Sequence, residues 1–506
     1  MISVNREKCI SFLKAHQLLL IDLFIIALFY SAFLFTRHYD CDSYALLING
    51  NRDAAATNLQ MGRVPEWLLY RGFELIGFPA QRHPRLGLAL LILACAYSVS
   101  RLSSQLAAAM KPEGPGMLCA VNAAVLLTIL NASFYEGWVY FTECAYDRAI
   151  SVILIFSAIS VFLQAGKSWR DYLLSFLLLS LAIDMYQVYI EVFLAYALLW
   201  LLMEHRLRWS RRAFRDLLAL IAVGLGASLQ NILTMRWLNA RGLIPDNARS
   251  ATAHLSVMIE NLRQIAAAQP AVWRDFQGAM PDWSLPAFAL ILALLLARAA
   301  VRNRCTWQET LLAVLAMLAG YCALYAPLLL SGAFWMPPRV ILGFFSFLSC
   351  GALLALFADG AHADRAVLLS CAALIALAGI RIQAISEDNI ASGRIDQSDV
   401  QEIGAAIQAY EEGTGNAVDT IAVHFDGQVT WYQPSTRYQI MDINVRGFVK
   451  PWSDVNMINW YLGTSYARRD MSDAEYRRIF GDSGWDVFDA SQQLHFEGST
   501  LYLAVY

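Results

Sequence analysis

The chain has 506 residues, 58% apolar and 16% charged, with 38 Lys and Arg against 41 Asp and Glu for a net charge of −3. Soluble domains run to roughly 45–50% apolar and about 25% charged, so an ordinary water-facing surface of this size is excluded, as are a disordered chain, a collagen-like chain and a secreted disulfide scaffold. The near-neutral balance gives no basic field, and nucleic acid is not expected as a partner.

The apolar runs are continuous rather than alternating, which favours membrane-spanning helices over a barrel. Crossing a hydrocarbon core of about 30 Å takes roughly 20 apolar residues. Eleven spans are predicted, near 18–36, 86–108, 116–133, 149–165, 172–186, 188–203, 216–237, 284–301, 309–330, 339–358 and 366–385. The first run is too long for a cleaved leader, and no small-residue cleavage site follows it. Lys and Arg in short loops set the orientation. Arg6, Lys8, Lys14, Arg101, Lys111, Lys167, Arg170, Arg206, Arg208, Arg211, Arg212, Arg215, Arg298, Arg302, Arg304 and Arg365 fall on one side, which places the N-terminus inside. The opposite short loops carry only Arg148 and Arg339. Residues 171–203 must cross twice yet are too few for two full-thickness helices, so a short pair turning near Asp184, Gln187 and Glu191 is expected.

Three regions project outward: loops 37–85 and 239–283, and the tail 386–506. Within the first loop, Val64–Phe78 reads as an amphipathic helix lying in the interface, with Trp67 and Tyr70 as anchors. The tail holds 18 acidic and 8 basic residues. Its pattern predicts a polar helix over Ser398–Glu412 stopped by Gly413, and a second helix opened by the capping box Ser472–Glu475. Strands are expected at Asp419–His424, Tyr438–Val445, Gln493–Glu497 and Thr500–Val505, the last two forming a hairpin about Gly498 and Ser499. The expected fold is an α-helical polytopic membrane domain over 1–385 followed by a small periplasmic α/β domain over 386–506. Of the scattered cysteines, Cys41 and Cys144 lie outside; pairing and two buried thiols are both open.

Ionisable groups gather at the outer ends of the spans. Asp40 and Asp42 follow the first, Glu136, Glu143, Asp147 and Arg148 follow the third, Asp184 and Glu191 flank the short turn, and Arg339 opens the tenth. Each would cost on the order of 2.5–3.5 kcal/mol at mid-bilayer without a partner or a cavity. Ordinary helix-end anchoring accounts for any one of them, but the collection predicts an acidic, Arg-edged cavity opening outward. Asp22, inside the first span, reads as a snorkelling or helix-paired carboxylate. Asp40-x-Asp42 has the spacing to ligate a hard divalent cation such as magnesium or manganese. No His pair with metal spacing, Gly-rich phosphate loop or Gly-x-Ser-x-Gly motif is present. Arg52, Arg63, Arg71, Arg82 and Arg85 crowd the first loop, where guanidinium groups suit a lipid-linked phosphate.

Four segments carry a family resemblance. Asp42-Ser-Tyr-Ala-Leu-Leu-Ile-Asn-Gly50 with Gly62-Arg63, Phe141-Thr-Glu-Cys-Ala-Tyr-Asp147, Asp184-Met-Tyr-Gln187 and Pro337-Pro-Arg-Val340 occur in order. Together they resemble the glucosyltransferase II family, the serotype-converting O-antigen glucosyltransferases, within the GT-C class of polytopic membrane glycosyltransferases. The likeness covers roughly 1–385. Two departures stand out: the family's adjacent acidic pair is Cys41-Asp42 here, with Asp40 one step earlier, and Ala45 stands where an Arg is expected.

The resemblance implies transfer of a sugar, typically glucose, from a polyprenyl-phosphate donor to a lipopolysaccharide O-antigen or another envelope glycan, on the periplasmic face of the bacterial inner membrane. Asp42 is then the base that takes the acceptor proton, with Asp40 and Glu143 beside it. Arg63 and Arg339 stabilise the leaving phosphate, Asp147 orients sugar hydroxyls with Glu143, Tyr186 and Gln187 shape the sugar pocket, and Trp138 or Trp335 stacks on the ring. A single displacement implies inversion. A flippase and a polyprenyl-phosphate glucosyltransferase would supply the donor. Other lipid-linked-sugar transferases, an O-antigen polymerase and a lipid-linked-sugar flippase share this architecture and stay open.

Overall fold

Uninterrupted apolar runs leave the backbone no water to bond with, and they fold here into helices. The computed structural model describes residues 16–110, 115–164, 167–205, 210–244, 253–425, 438, 440, 442–481, 483, 485 and 487–505. The orienting residues Arg6, Lys8, Lys14, Lys111, Arg206 and Arg208 lie outside these, as does part of the second outward loop.

The helical part comprises α1 (Gln17–Phe29), α2 (Val64–Leu75), α3 (Pro84–Met110), α4 (Pro115–Leu126), α5 (Ala145–Phe162), α6 (Trp169–Met185), α7 (Tyr189–Glu204), α8 (Arg211–Ala240), α9 (Leu255–Asp275), α10 (Ser284–Arg302), α11 (Trp307–Ala323), α12 (Gly343–Asp359) and α13 (Asp364–Thr414). Helix α3 packs on α1, α4 and α5; α6 bridges α5 and α8; α12 packs on α7 and α10; and α13 closes on α4. Six segments are long and apolar enough to cross a membrane by length and composition: α3, Thr142–Phe162, α8, α10, Pro338–Asp359 and α13. Each expected span falls on a helix, but α1, α4, α6, α7 and α11 are below that standard.

Local breaks have visible causes. The first expected span is interrupted at Tyr30, whose hydroxyl donates to the Ile129 carbonyl and whose backbone leaves helical geometry. The third stops at Leu126 because Asn131 turns the chain: its amide donates to the Leu127 carbonyl at 2.7 Å and its oxygen accepts from the Phe134 N–H at 2.9 Å. The short pair is observed as α6 and α7, of 17 and 16 residues, joined through Tyr186, Gln187 and Val188.

Helix α13 has 51 residues and runs straight through the expected boundary at 385/386. The polar helix expected at 398–412 is its far end, and it stops at left-handed Gly415 rather than at Gly413. Beyond it lies a four-stranded sheet of β1 (Thr420–Phe425), β2 (Ala467–Asp470), β3 (Leu494–Glu497) and β4 (Thr500–Val505) in the order β2-β1-β4-β3. Strand β1 is parallel to both neighbours, while β3 and β4 form the expected hairpin. Helices α14 (Asp454–Leu462) and α15 (Asp473–Phe480) complete the unit, α15 opening on the expected capping box. The strand expected at Tyr438–Val445 is a single bridge between Ile440 and Ile443 among the described residues. The core of this unit includes Tyr44 and Leu47 from the first outer loop, packed with Val400, Ile403, Ile458 and Leu501. The tail is therefore seated on the helical part by shared apolar contacts.

Candidate functional site

One end of the helical part encloses a cavity of about 1680 Å³. Its polar wall carries Asp42, Arg63, Glu143, Arg148, Tyr186, Gln187, Trp335, Arg339 and Trp452; its apolar wall is made by α7 and α8 through Leu194, Leu220, Ile221, Leu225 and Ile232. Sequence positions from four separate segments expected to face outward and from the tail thus meet in one place.

Asp42 is exposed in that cavity. Asp40, two residues earlier, is 2% exposed and does not line it. Its Oδ1 accepts from the backbone N–H groups of Asp42 at 2.7 Å and Ser43 at 3.2 Å, forming a side-chain turn that fixes where Asp42 points. The Ser43 hydroxyl lies 3.1 Å from Asp40 Oδ2 and 3.0 Å from Glu143 Oε2, between two buried carboxylates. Burial first, and then the Asp42 charge, push the Asp40 carboxyl up to about 7. Oxygens of Asp40, Asp42 and Glu143 all lie within 4.8 Å of one another, a donor set suited to a hard cation. Asp40 Oδ1 is taken up by two backbone N–H groups, and of the three carboxylates it is Asp42 and Glu143 that line the cavity. The Asp42 Oδ1 also accepts from the Trp452 indole N–H at 2.8 Å.

The arginines are held by buried acids. Glu66 on α2 is fully buried; its Oε1 takes Arg148 at 2.8 Å and its Oε2 faces Arg63 at 3.5 Å. Both guanidiniums stand over the Tyr186 ring, at 4.7 Å for Arg148 and 4.9 Å for Arg63. Arg339 donates to Glu136 Oε1 and to Asp442 Oδ2, each at 2.7 Å, its backbone N–H reaches Glu136 Oε2, and its guanidinium lies 4.4 Å from the Trp335 ring. Gly137 lies close beneath it: a Cβ there would stand 3.1 Å from the Arg339 Cβ, a tight contact. Gly62 has φ +74°, which favours glycine, and a Cβ there would fall 1.5 Å from the Met235 sulfur of α8 and displace the end of that side chain.

Several expected residues sit behind the wall rather than on it. Asp147 is 1% exposed, accepts from the Tyr70 hydroxyl at 3.1 Å and lies 3.4 Å from Arg148. Trp138 is fully buried, its indole N–H on the Tyr189 hydroxyl and its ring edge-on to Tyr186, so Trp335 is the indole available on that side. Tyr70, expected as an interfacial anchor, is buried because its hydroxyl donates to the Glu143 carbonyl at 2.6 Å. Asp184 lies off the cavity, held by Gln230 at 2.9 Å and Asn231 at 2.8 Å, and Glu191 accepts the first N–H of α12 at 2.9 Å. Asp22 is paired with Asn122 at 2.6 Å. Cys41 and Cys144 are free thiols.

Sequence reasoning missed Glu66, Trp452 and Asp442. Arg63, Glu66 and Tyr70 share one helix face by their spacing, a signal that reading the segment as interfacial obscured. Trp452 and Asp442 carry no comparable signal, since only the tertiary fold brings the tail to the cavity. Compared with known proteins, the chain matches no family model, no curated protein and no solved structure.

Proposed function

We propose that this protein is a membrane glycosyltransferase of the GT-C kind, moving a sugar, glucose by its motifs, from a polyprenyl-phosphate donor to an envelope glycan such as lipopolysaccharide O-antigen. In this reading the chain crosses the bacterial inner membrane eleven times, with its N-terminus inside and the sheet unit in the periplasm. The observation that carries the reading is a single cavity lined by carboxylates, arginines and the apolar side chains of α7 and α8 together. A donor with an isoprenoid tail, a phosphate and a sugar needs all three surfaces at once.

The chemistry follows from the residues. The acceptor hydroxyl gives its proton to the Asp42 carboxylate as its oxygen bonds to the anomeric carbon. The bond from that carbon to the phosphate oxygen breaks, and its electron pair leaves with the phosphate. One displacement inverts the anomeric centre. Arg63, Arg148 and Arg339 receive the departing charge, fixed dipoles and cations of this kind being more effective in a water-poor site. Glu143 and Gln187 are placed to bond sugar hydroxyls, and Trp335 and Trp452 offer indole faces. Asp40 and Asp147 act as positioning residues through Asp42 and Arg148. Asp42 and Glu143 are also the residues that would hold a divalent cation, which would neutralise phosphate charge.

Asp42→Asn is expected to lower transfer by roughly 10²–10⁴-fold, the usual worth of a general base, while the chain still fractionates with membranes. The measurement is mass spectrometry of the envelope polysaccharide from cells carrying either form. An unchanged glycan in the presence of the variant removes Asp42 from the site. A flippase would leave lipid-linked sugar distribution, rather than glycan structure, as the property that changes.

A further inference from the structure

A second cavity of about 320 Å³ lies apart from the first and shares no lining residue with it. Its wall is Arg37, Arg82, His83, Pro84, Arg85 and Leu86. Arg37 follows the short helical turn Ser31–Phe35 that continues α1, while Arg82 and His83 lead into α3 and Pro84, Arg85 and Leu86 form its first turn. Among the described residues none of the three arginines has a carboxylate within ion-pair distance. This contrasts with Arg63, Arg148 and Arg339, each of which is matched to an acid.

Three further observations point to an anion as the missing partner. The Tyr39 hydroxyl is shielded from solvent, has no hydrogen-bond partner among the described residues, and lies within electrostatic reach of Arg37, Arg85 and Arg82 together. Arg37 stands 5.8 Å from the Tyr39 ring and Arg82 5.9 Å from the Trp460 ring, so aromatic faces of the outer loop and the tail hold the guanidiniums in place. The 27-residue α3 begins at Pro84, so the positive end of its dipole lies at the same spot.

What lies below the pocket says what carries the anion. Phe35 is 75% exposed and Leu86 49% exposed, and Leu90 and Leu93 continue that apolar face down α3. A charged pocket directly above an exposed apolar stripe matches a molecule with a phosphate head and hydrocarbon chains. We infer that Arg37, Arg82 and Arg85 form a second anion site that holds the phosphate of an anionic phospholipid at the outer membrane surface, beside the seat of the tail. The inference rests on the membrane reading of the chain but not on its activity.

The test is native mass spectrometry of the full chain released from mixed micelles of phosphatidylglycerol or of phosphatidylcholine. The wild type is expected to retain one phosphatidylglycerol more than the Arg37→Gln/Arg82→Gln/Arg85→Gln variant, and no corresponding phosphatidylcholine. Each surface cation is worth about a fivefold change in affinity for anionic lipid, so the triple variant should bind on the order of a hundredfold more weakly. The triple lysine variant should restore most of that loss. Should the glutamine variant fail to fold, Arg85→Gln alone, expected to weaken retention about fivefold, serves instead. Glycerol 3-phosphate at millimolar concentration should not displace the lipid; displacement would assign the site to a soluble phosphate. Equal retention by wild type and a folded variant overturns the inference and leaves the transferase reading standing. A chain that does not fractionate with membranes overturns both.

Discussion

At the scale of single residues, the site is a study in how buried acids set the position of exposed ones. Asp40 never meets the cavity, yet its carboxylate accepts the N–H of the residue that does. Burial, reinforced by the Asp42 charge, holds the Asp40 carboxyl near 7 against an ordinary value of 3.8. The folded chain therefore keeps a proton there that the unfolded chain has already released. The resulting stabilisation is fully present below about pH 4 and is lost as the pH rises through about 7. Melting curves of wild type and Asp40→Asn in detergent should accordingly converge or cross between those limits, the wild type losing ground toward alkaline pH. Parallel curves over the whole range would dissociate Asp40 from any such proton. Glu66 performs the equivalent service for Arg148: it is the buried counter-charge without which that guanidinium would be stranded.

At the scale of elements, the approach of the first outer loop to α8 depends on one absent methyl group. Gly50 and Gly62 both have φ near +74°, and the Gly50 ψ of −162° lies in a region essentially restricted to glycine, so alanine strains the backbone there by about 1–3 kcal/mol. At Gly62 the new Cβ would also displace the flexible end of Met235; nothing lies within 4 Å at Gly50. Gly62→Ala should lower the melting temperature and depress the proposed transfer, because Arg63 follows directly. Met235→Ala in the Gly62→Ala background should recover part of that loss, read as melting temperature against Met235→Ala alone. If it recovers nothing, the close approach of loop and helix is unimportant. Much at this scale was legible in the sequence. Apolar run length located the helices, the Ser472–Glu475 spacing marked α15, and Gly498 with Ser499 marked the hairpin. The interruptions at Tyr30 and Asn131 were not legible, because each is made by hydrogen bonding that an apolar run does not encode. Of the site, the outward charges were readable as a set. Their sorting into cavity-facing Asp42, Arg63 and Arg339 and buried Asp40, Asp147 and Trp138 was not, since adjacent residues on one turn differ only by direction.

At the scale of the whole molecule, the tail is part of the site. Asp442 pairs with Arg339, Trp452 bonds Asp42, and Tyr44 and Leu47 fill the tail's own core. Inserting one alanine after Gly393, where an added Cβ would meet nothing within 4 Å, would turn everything beyond it by about 100° about the axis of α13. Transfer should fall on the order of a hundredfold, since misplacement by about an ångström already costs that much, while membrane fractionation stays as before. An alanine added at the exposed tip between Gly498 and Ser499 should be harmless. Full activity in the Gly393 insertion would mean that the tail merely rests on the helices.

The uninterrupted course of α13 carries a mechanical corollary. At 1.5 Å per residue its 51 residues measure about 77 Å, more than twice a typical hydrocarbon core of about 30 Å. On the membrane reading proposed above, a change in lipid thickness that tips the rod by about 10° would strain its far end, some 45 Å away, through about 8 Å against the first loop on which it is seated. The clasp between indole and carboxylate at the mouth of the cavity would share that load, so the proposed turnover is expected to respond to acyl-chain length.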